Sequence, residues 1–174
     1  MVIENISLAL RTVLNERFDI LFIPDYDNGN EPVDDYATVG VTIVNQVHQS
    51  DSNYIVRTDT ITERLKQDFR VLVTLTFYGN SAYNMAFQTQ AALKMSEIKQ
   101  RLFYENCLSI MDVTNIRRVP ELRETKYIQR ATFDATILTS YEQLSDIDWF
   151  NIVGYSADYK DTDIQYTTYV PQEP

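Results

Sequence analysis

The sequence predicts an α+β fold, a mixed, largely antiparallel sheet with a long helix at about residues 81–104 and an N-terminal helix packed on it. Three observations favour this class. The chain starts with an amphipathic stripe of helical spacing, and several later segments alternate apolar and polar residues with the period of a strand. The strongest helical segment lies between two of those alternating segments, and no pair of segments repeats.

The first 35 residues predict a helix, a short strand and a loop. Residues 3–17 form the helix, because their apolar residues share one helical stripe. That stripe consists of Ile3, Ile6, Leu10, Val13 and Leu14. The apolar run 18–23 predicts a strand that ends at Pro24. Residues 25–35, here called the acidic loop, contain five acidic residues and no basic one, with Gly29 and Pro32 among them.

Alternation predicts two longer strands before the second helix. Residues 37–47 alternate valine and isoleucine with polar residues, and residues 61–78 do so over a greater length. Residues 54–57 are a short strand or the start of the longer one. Because the pattern of 61–78 begins among charged residues, we expect this strand to extend beyond the core sheet as an arm near residues 57–68.

The second helix is predicted over residues 81–104, with Ser81 as its N-cap. Its apolar residues form two opposite stripes, which predicts burial on both sides. One stripe consists of Ala82, Met85, Ala86, Ala92, Leu93 and Phe103, and the other of Phe87, Ala91, Met95, Ile98 and Leu102. We expect one stripe to pack on the sheet and the other to need the N-terminal helix, an extra layer or a neighbouring subunit.

The last third of the chain predicts two strands and a less defined end. Residues 107–113 and 126–139 are the strands, with Tyr127 facing inward in the second. Residues 114–124 predict a loop in which Pro120-Glu121-Leu122 makes a tight turn. Residues 141–160 add an edge strand or a short helix. The expected organisation is one domain over residues 1–160 and a polar, flexible tail over 161–174.

Composition excludes several classes of protein. Asp and Glu number 25 against 15 Lys and Arg, a net charge of −10, whereas a general duplex-DNA binder needs cations for the phosphates. A single cysteine excludes an intramolecular disulfide and a cysteine-based zinc site. The sequence contains no membrane-spanning apolar run and no glycine-rich phosphate-binding motif. We therefore expect no membrane association, and the default compartment is the cytoplasm.

No residue pattern indicates catalysis or a cofactor. The single histidine, His48, falls in a polar turn without a nucleophile beside it, and Cys107 at a strand start is expected to be a buried small apolar residue. Counting from Asp25, a calcium loop would need Gly at position 6 and Glu at position 12, where Asn30 and Tyr36 stand. We expect no catalytic, cofactor-binding or metal-binding residue.

Charged residues form the candidate interface between copies of the chain. Basic residues are concentrated between positions 117 and 130, and opposite charge is available in the acidic loop and in residues 142–163, so a head-to-tail contact between copies is favoured. The predicted inter-subunit or inter-ring residues are Arg64, Lys66, Arg117, Arg118, Glu121, Arg123, Arg130 and Asp134. Reversal of both Arg117 and Arg118 to Glu is expected to abolish assembly without unfolding the monomer.

Two motifs identify a family resemblance. Residues 78–83 read YGNSAY between a strand and a helix, and residues 112–122 follow the pattern D-V-x-x-x-R-x-x-P-E-L. Residues 130–136 then read R-A-x-F-D-x-T. Over roughly residues 35–160 the chain resembles the neck terminator (tail terminator) family of tailed bacteriophages.

The resemblance implies a structural virion protein rather than an enzyme. Such proteins form a ring, usually of six copies, that is seated on the last ring of the tail tube. The ring stops tube and sheath polymerisation and presents a surface to the head connector. The implied partners are copies of the chain, the tail tube protein, the sheath protein if the tail contracts, and connector proteins, with DNA passing through the lumen. The implied location is the virion neck, after assembly in the host cytoplasm, and no cofactor is implied.

Two other functions remain open from the sequence. One is a head-closure or tail-completion adaptor at another level of the neck. The other is a small cytoplasmic enzyme or ligand-binding domain, which a monomer with a deep pocket would favour.

Overall fold

The computed structural model describes residues 2–26, 29, 31–47, 51–57, 60–123 and 126–147. The chain divides into two compact units. The first unit contains residues 1–50 and 67–141, and the second contains residues 51–66 and 142–174. The expected single domain over residues 1–160 therefore stays a prediction, and its tail lies outside the described residues.

The described residues form three helices and nine strands. The helices are α1 (Val2–Arg17), α2 (Ala82–Lys94) and α3 (Ser96–Asn106). The strands are β1 (Leu21–Pro24), β2 (Tyr36–Gln46), β3 (Asp51–Arg57), β4 (Thr60–Tyr78), β5 (Leu108–Val113), β6 (Arg117–Arg118), β7 (Glu121–Arg123), β8 (Lys126–Ile128) and β9 (Arg130–Ile147). The predicted N-terminal helix and the strands of residues 37–47 and 61–78 are confirmed.

The main sheet is mixed, as predicted. Its strand order is β1-β2-β4-β9-β5, with β3 paired to β4 and β6 paired to β9. The β1–β2 pair is parallel, whereas β2–β4, β3–β4, β5–β9 and β6–β9 are antiparallel. A separate two-stranded sheet joins β7 to β8. The α+β class is confirmed.

One hydrophobic core lies in the first unit, between the helices and one face of the sheet. The strand residues that alternate into it come mainly from β4 and β9, and the helices cover them. Its largest fully buried side chains include Leu10, Leu14, Phe22, Leu75, Phe77, Leu93, Leu102, Phe133 and Ile137. Phe77 stacks on Phe133 with ring centroids 5.8 Å apart, which joins the two central strands.

The predicted long helix is wrong, because the segment breaks at Met95. Met95 has φ −71° and ψ 142°, an extended conformation that ends α2 and precedes α3. The buried positions explain the break. A continuous helix after buried Leu93 would turn Glu97 inward, whereas the break turns Ile98 and then Leu102 into the core. Burial of two more aliphatic side chains offsets the lost helical turn.

The predicted second apolar stripe is therefore covered only in part. Ile98 and Leu102 join the core, while Phe87 and Met95 remain about half exposed. Phe103, predicted on the other stripe, is 54% exposed. The exposed remainder of both stripes is an apolar surface of the first unit rather than a second buried layer.

The start of α2 is held by a residue far away in sequence. Ser81 occupies the N-cap position as predicted, but its side chain makes no capping hydrogen bond. Instead the Asp35 carboxylate accepts hydrogen bonds from the backbone N–H groups of Asn80 (3.0 Å) and Ser81 (3.1 Å). Gly79, at φ +113°, makes this close approach possible, because a Cβ there would collide with Asp35.

Cys107 is exposed, so its predicted burial is wrong. It ends α3 with φ 55° and ψ 33°, and its backbone N–H donates to the carbonyls of Leu102 and Phe103. The left-handed conformation turns the chain out of the helix before β5 begins at Leu108. The cysteine side chain is left outside the core by that turn.

Three more predictions fail between residues 114 and 128. The predicted loop contains β6 and β7, and Pro120-Glu121-Leu122 does not make a tight turn, since Glu121 begins β7 and pairs with Ile128. Tyr127 is 74% exposed rather than inward, because β8 belongs to the small sheet. Beyond residue 139, β9 continues to Ile147, and the rest of the predicted 141–160 element lies outside the described residues.

The second unit contains a hairpin. β3 pairs with the first part of β4, from Asp51 with Lys66 to Arg57 with Thr60. Arg64 forms a two-point contact with Glu142, at 2.7 Å from Nε to Oε1 and 2.8 Å from Nη2 to Oε2. This hydrogen bonding raises the pKa of Arg64 further above its ordinary value.

Candidate assembly surfaces

The predicted interface residue Arg117 is engaged within its own chain. Its Nη2 lies 2.6 Å from Oδ2 of Asp134, which is 17% exposed in its side chain. The hydroxyl of Thr74 donates to Oδ1 of the same carboxylate (2.8 Å), and the Asp134 backbone N–H donates to the hydroxyl of Thr114 (2.9 Å). Pairing of β6 with β9 fixes this arrangement. Arg117 and Asp134 thus form an ion pair within the sheet face, and their part in an interface between copies stays a prediction.

Arg130 and Glu121 form a second internal pair. Arg130 Nη1 lies 3.5 Å from Oε2 of Glu121, and the guanidinium lies 5.4 Å from the ring centroid of Tyr78. Tyr78 stacks on Tyr36 with centroids 4.8 Å apart. Arg130 Nε is buried and has no hydrogen-bond acceptor among the described residues. Arg130 therefore keeps an unused donor.

Arg118 is held differently from its neighbour. Its guanidinium carbon lies 4.1 Å from the centre of the Tyr83 ring, a cation–π contact. Within the described part of the chain it forms no ion pair, although it is exposed. Among the described side chains of the predicted cluster between residues 117 and 134, Arg118 offers the most available positive charge.

Arg118 and Arg130 line one pocket, here called the arginine pocket. Its volume is about 280 Å³, and its other lining residues are Ala82, Tyr83, Pro120 and Gln129. The start of α2 supplies Ala82 and Tyr83, which the sequence did not mark as site residues. The motif YGNSAY was the available signal, because its last two residues line the pocket.

Arg64 and Lys66 belong to the second unit, and the side chain of Arg123 is not described. Arg64 is occupied by Glu142 in the second unit, and Lys66 is exposed there opposite Asp51 in the hairpin. The backbone of Arg123 lies at the end of β7, but its side chain is outside the described residues, as is the whole of His48. The structure thus brings together Arg118 and Arg130, and separately pairs Arg117 with Asp134.

The acidic loop carries an exposed apolar tip that sequence reasoning missed. Val33 is fully exposed and Asp34 beside it is exposed too. The loop is anchored on both sides of this tip. Tyr36 Oη donates to Glu31 (2.7 Å), and Asp35 accepts the two backbone N–H groups at the start of α2. An apolar residue between Pro32 and Asp34, in a loop with five acidic residues, was the signal that could have found it.

A larger groove of about 670 Å³ lies between α1 and the start of β5. Leu8, Thr12, Cys107 and Tyr141 are among its lining residues. Across the described residues no group of three metal-ligating side chains occurs. No described helix has both the length and the apolar character needed to cross a membrane.

Comparison with known proteins identifies a family. A family model described as phage neck terminator protein matches residues 4–163 of the chain. No curated protein matches it closely enough to count as a relative. The match covers most of α1 and every described strand, and it extends the sequence resemblance toward both ends.

Proposed function

Because the chain belongs to the family of phage neck terminator proteins, we propose that it assembles into a closed ring, of six copies as is usual in the family, at the head-proximal end of the tail. It is a structural protein of the virion neck. The ring would cap the tail tube, and the sheath if the tail contracts, and it would join the tail to the head connector. Assembly takes place in the host cytoplasm before the tail meets the head.

The family match over residues 4–163 is the observation that carries this proposal. The structure adds an apolar surface that suits assembly. Phe87 and Met95 on the outer side of the α2–α3 segment are about half exposed, and Phe103 and Tyr104 lie exposed on α3. Exposed aromatic and methionine side chains are enriched where protein surfaces meet. Tiling of copies around an axis would cover them.

Net charge supports the passage of DNA through the ring. At −10 per copy, a ring of this chain repels phosphate overall, so DNA can slide through a lumen without being held. Capping follows if one ring face matches the last tube subunits and the opposite face lacks the self-complementary surface of the tube.

Tube-length measurement tests this function. The tail tube protein is polymerised alone, with the chain, or with the chain added after polymerisation, and lengths are measured by electron microscopy. We expect shorter tubes, each with extra density at one end, when the chain is present from the start. Light scattering should give the mass of a six-copy assembly for the purified chain.

The same measurements separate the alternatives. An adaptor at another level of the neck would leave tube length unchanged and would bind connector proteins or the completed tail end. A cytoplasmic enzyme or ligand-binding domain would remain a monomer and would not associate with tubes at all. Unchanged tube length and a monomeric mass together would overturn the terminator proposal.

A further inference from the structure

The arginine pocket combines unused positive charge with an apolar wall. The Arg118 guanidinium is exposed, lies over the Tyr83 ring and forms no ion pair among the described residues. Tyr83 and Pro120 provide exposed apolar surface beside it. A guanidinium without a carboxylate partner is available to an incoming acceptor. The chemistry selects a carboxylate or a phosphate as the ligand group.

The apolar wall favours a carboxylate that is followed or preceded by an apolar side chain. A phosphodiester strand would satisfy Arg118 but would bring no apolar group to cover Tyr83 and Pro120. A peptide segment with one small apolar residue beside one acidic residue satisfies both parts of the pocket. A volume of about 280 Å³ limits the occupant to a segment of very few side chains.

The chain itself presents such a segment. Val33 is fully exposed, and Asp34 follows it with its side chain in solvent. The flanking residues Glu31 and Asp35 are fixed by Tyr36 and by the start of α2. A tip held from both sides loses little conformational entropy when it binds, which strengthens binding.

We propose that the arginine pocket binds the tip of the acidic loop from a second copy of this chain. Val33 of one copy packs on Tyr83 and Pro120 of the next, and its Asp34 carboxylate accepts hydrogen bonds from Arg118. This inference rests on the self-association in the proposed function and names the residues of that contact. It gives the acidic loop and the basic region opposite roles at one interface.

Charge exchange between two copies tests the contact. Asp34→Arg and Arg118→Asp are made singly, and self-association is measured by sedimentation velocity and light scattering. Each variant alone should weaken association at least tenfold, because like charges then meet in the pocket. An equimolar mixture of the two variants should associate again. In such a mixture the opposite charges introduced at positions 34 and 118 meet in one contact, while the next contact keeps its native Asp34 and Arg118.

Matched controls keep the comparison specific. Asp19→Arg and Arg17→Asp make the same charge changes at exposed positions with no contact to the pocket, and both should associate like the wild type. Val33→Ser tests the apolar half and should weaken association without a change in charge. Circular dichroism and thermal unfolding verify each fold, and Asp34→Asn with Arg118→Gln replace any reversal that fails to fold.

Several outcomes would overturn the inference. Failure of the mixture to associate, or wild-type association by both reversals, shows that the two sites do not meet between copies. Loss of duplex-DNA binding by Arg118→Asp together with unaltered self-association assigns the pocket to phosphate instead. If the wild-type chain is monomeric at every concentration, no second copy binds the pocket and the inference fails. If the variants associate as the charge-exchange experiment predicts but the chain leaves tube length unchanged, this contact is supported and only the terminator function is overturned.

Discussion

Arg117 and Asp134 are bound to each other within one chain, with 2.6 Å between Nη2 and Oδ2. Adjacent Arg118 instead lies over the Tyr83 ring and points its charge into the arginine pocket. Two neighbouring arginines therefore have different roles, one in stability and one in contact. A double reversal to Glu would mix these effects, so the two substitutions are best made separately.

Arg117→Glu should lower the free energy of unfolding by about 1–3 kcal/mol, because a new carboxylate would face Asp134 and Oδ2 of Asp134 would lose its hydrogen-bond donor. Chemical denaturation measures this change. Arg118→Glu is the matched control and should unfold within about 0.5 kcal/mol of the wild type, since it faces no carboxylate among the described residues. Equal destabilisation by both substitutions would contradict the separation of roles.

Strand alternation predicts β2, β4 and β9 well, because a sheet with one buried face imposes a period of two on the sequence. Strands of two or three residues carry no period, which is why β6 and β7 were missed and β8 was predicted as part of β9. The ion pairs were also beyond the sequence. Whether Arg117 meets Asp134 depends on the register between β6 and β9, and a charge list does not contain that register.

Helix boundaries were predictable only where local residues decide them. α1 has a single apolar stripe and was predicted to within one residue at its start. The break at Met95 was not, because residues 81–104 have good helix propensity throughout and the break serves a tertiary requirement, the burial of Ile98 and Leu102. Asp35 at the start of α2 was missed for a similar reason, since it lies 46 residues before Ser81.

Ser96→Pro tests the break directly. Ser96 is the first residue of α3, where proline is favoured, and Met95 before it already has the extended backbone that a following proline requires. The variant should be as stable as the wild type, or more stable by up to about 1 kcal/mol. Gln88→Pro, at an exposed interior position of α2, should cost about 3 kcal/mol or more. Thermal unfolding compares the two variants, and a large loss of stability in Ser96→Pro would contradict the break and favour a continuous helix.

Asp35→Ala should destabilise the fold more than Ser81→Ala does. Removal of the Asp35 carboxylate leaves the backbone N–H groups of Asn80 and Ser81 without their acceptor, which costs about 1–2 kcal/mol. Ser81→Ala should be nearly neutral, because the Ser81 side chain makes no capping bond. Urea unfolding curves of the two variants measure the two losses of stability, and a larger loss in Ser81→Ala would show that Ser81 caps α2.

Glu16→Gln should destabilise the chain at neutral pH and have no effect in acid. A hydrogen bond from Arg101 lowers the pKa of Glu16, so the ionised group is bound more strongly in the folded state. A lowered folded pKa contributes stability above the ordinary value of about 4.5, and this is lost as pH falls through the folded pKa. Melting temperatures at pH 7 and in acid measure the difference between variant and wild type. Asp19→Asn is the control, and a difference that persists in acid would contradict the ion-pair explanation.

Cys107→Gly should stabilise the chain, because residue 107 ends α3 with φ 55° and glycine adopts that conformation without the strain of a Cβ. The expected gain is about 1 kcal/mol in the free energy of unfolding. Cys107→Val should instead lose at least as much, since a β-branched residue is poorly tolerated in the left-handed region. Denaturant unfolding under reducing conditions compares the three chains. If the exposed thiol has no structural role, Cys107→Gly and Cys107→Asn should both preserve assembly, while Cys107→Val lowers stability. A loss of stability in Cys107→Gly would show that the cysteine side chain itself contributes to the fold.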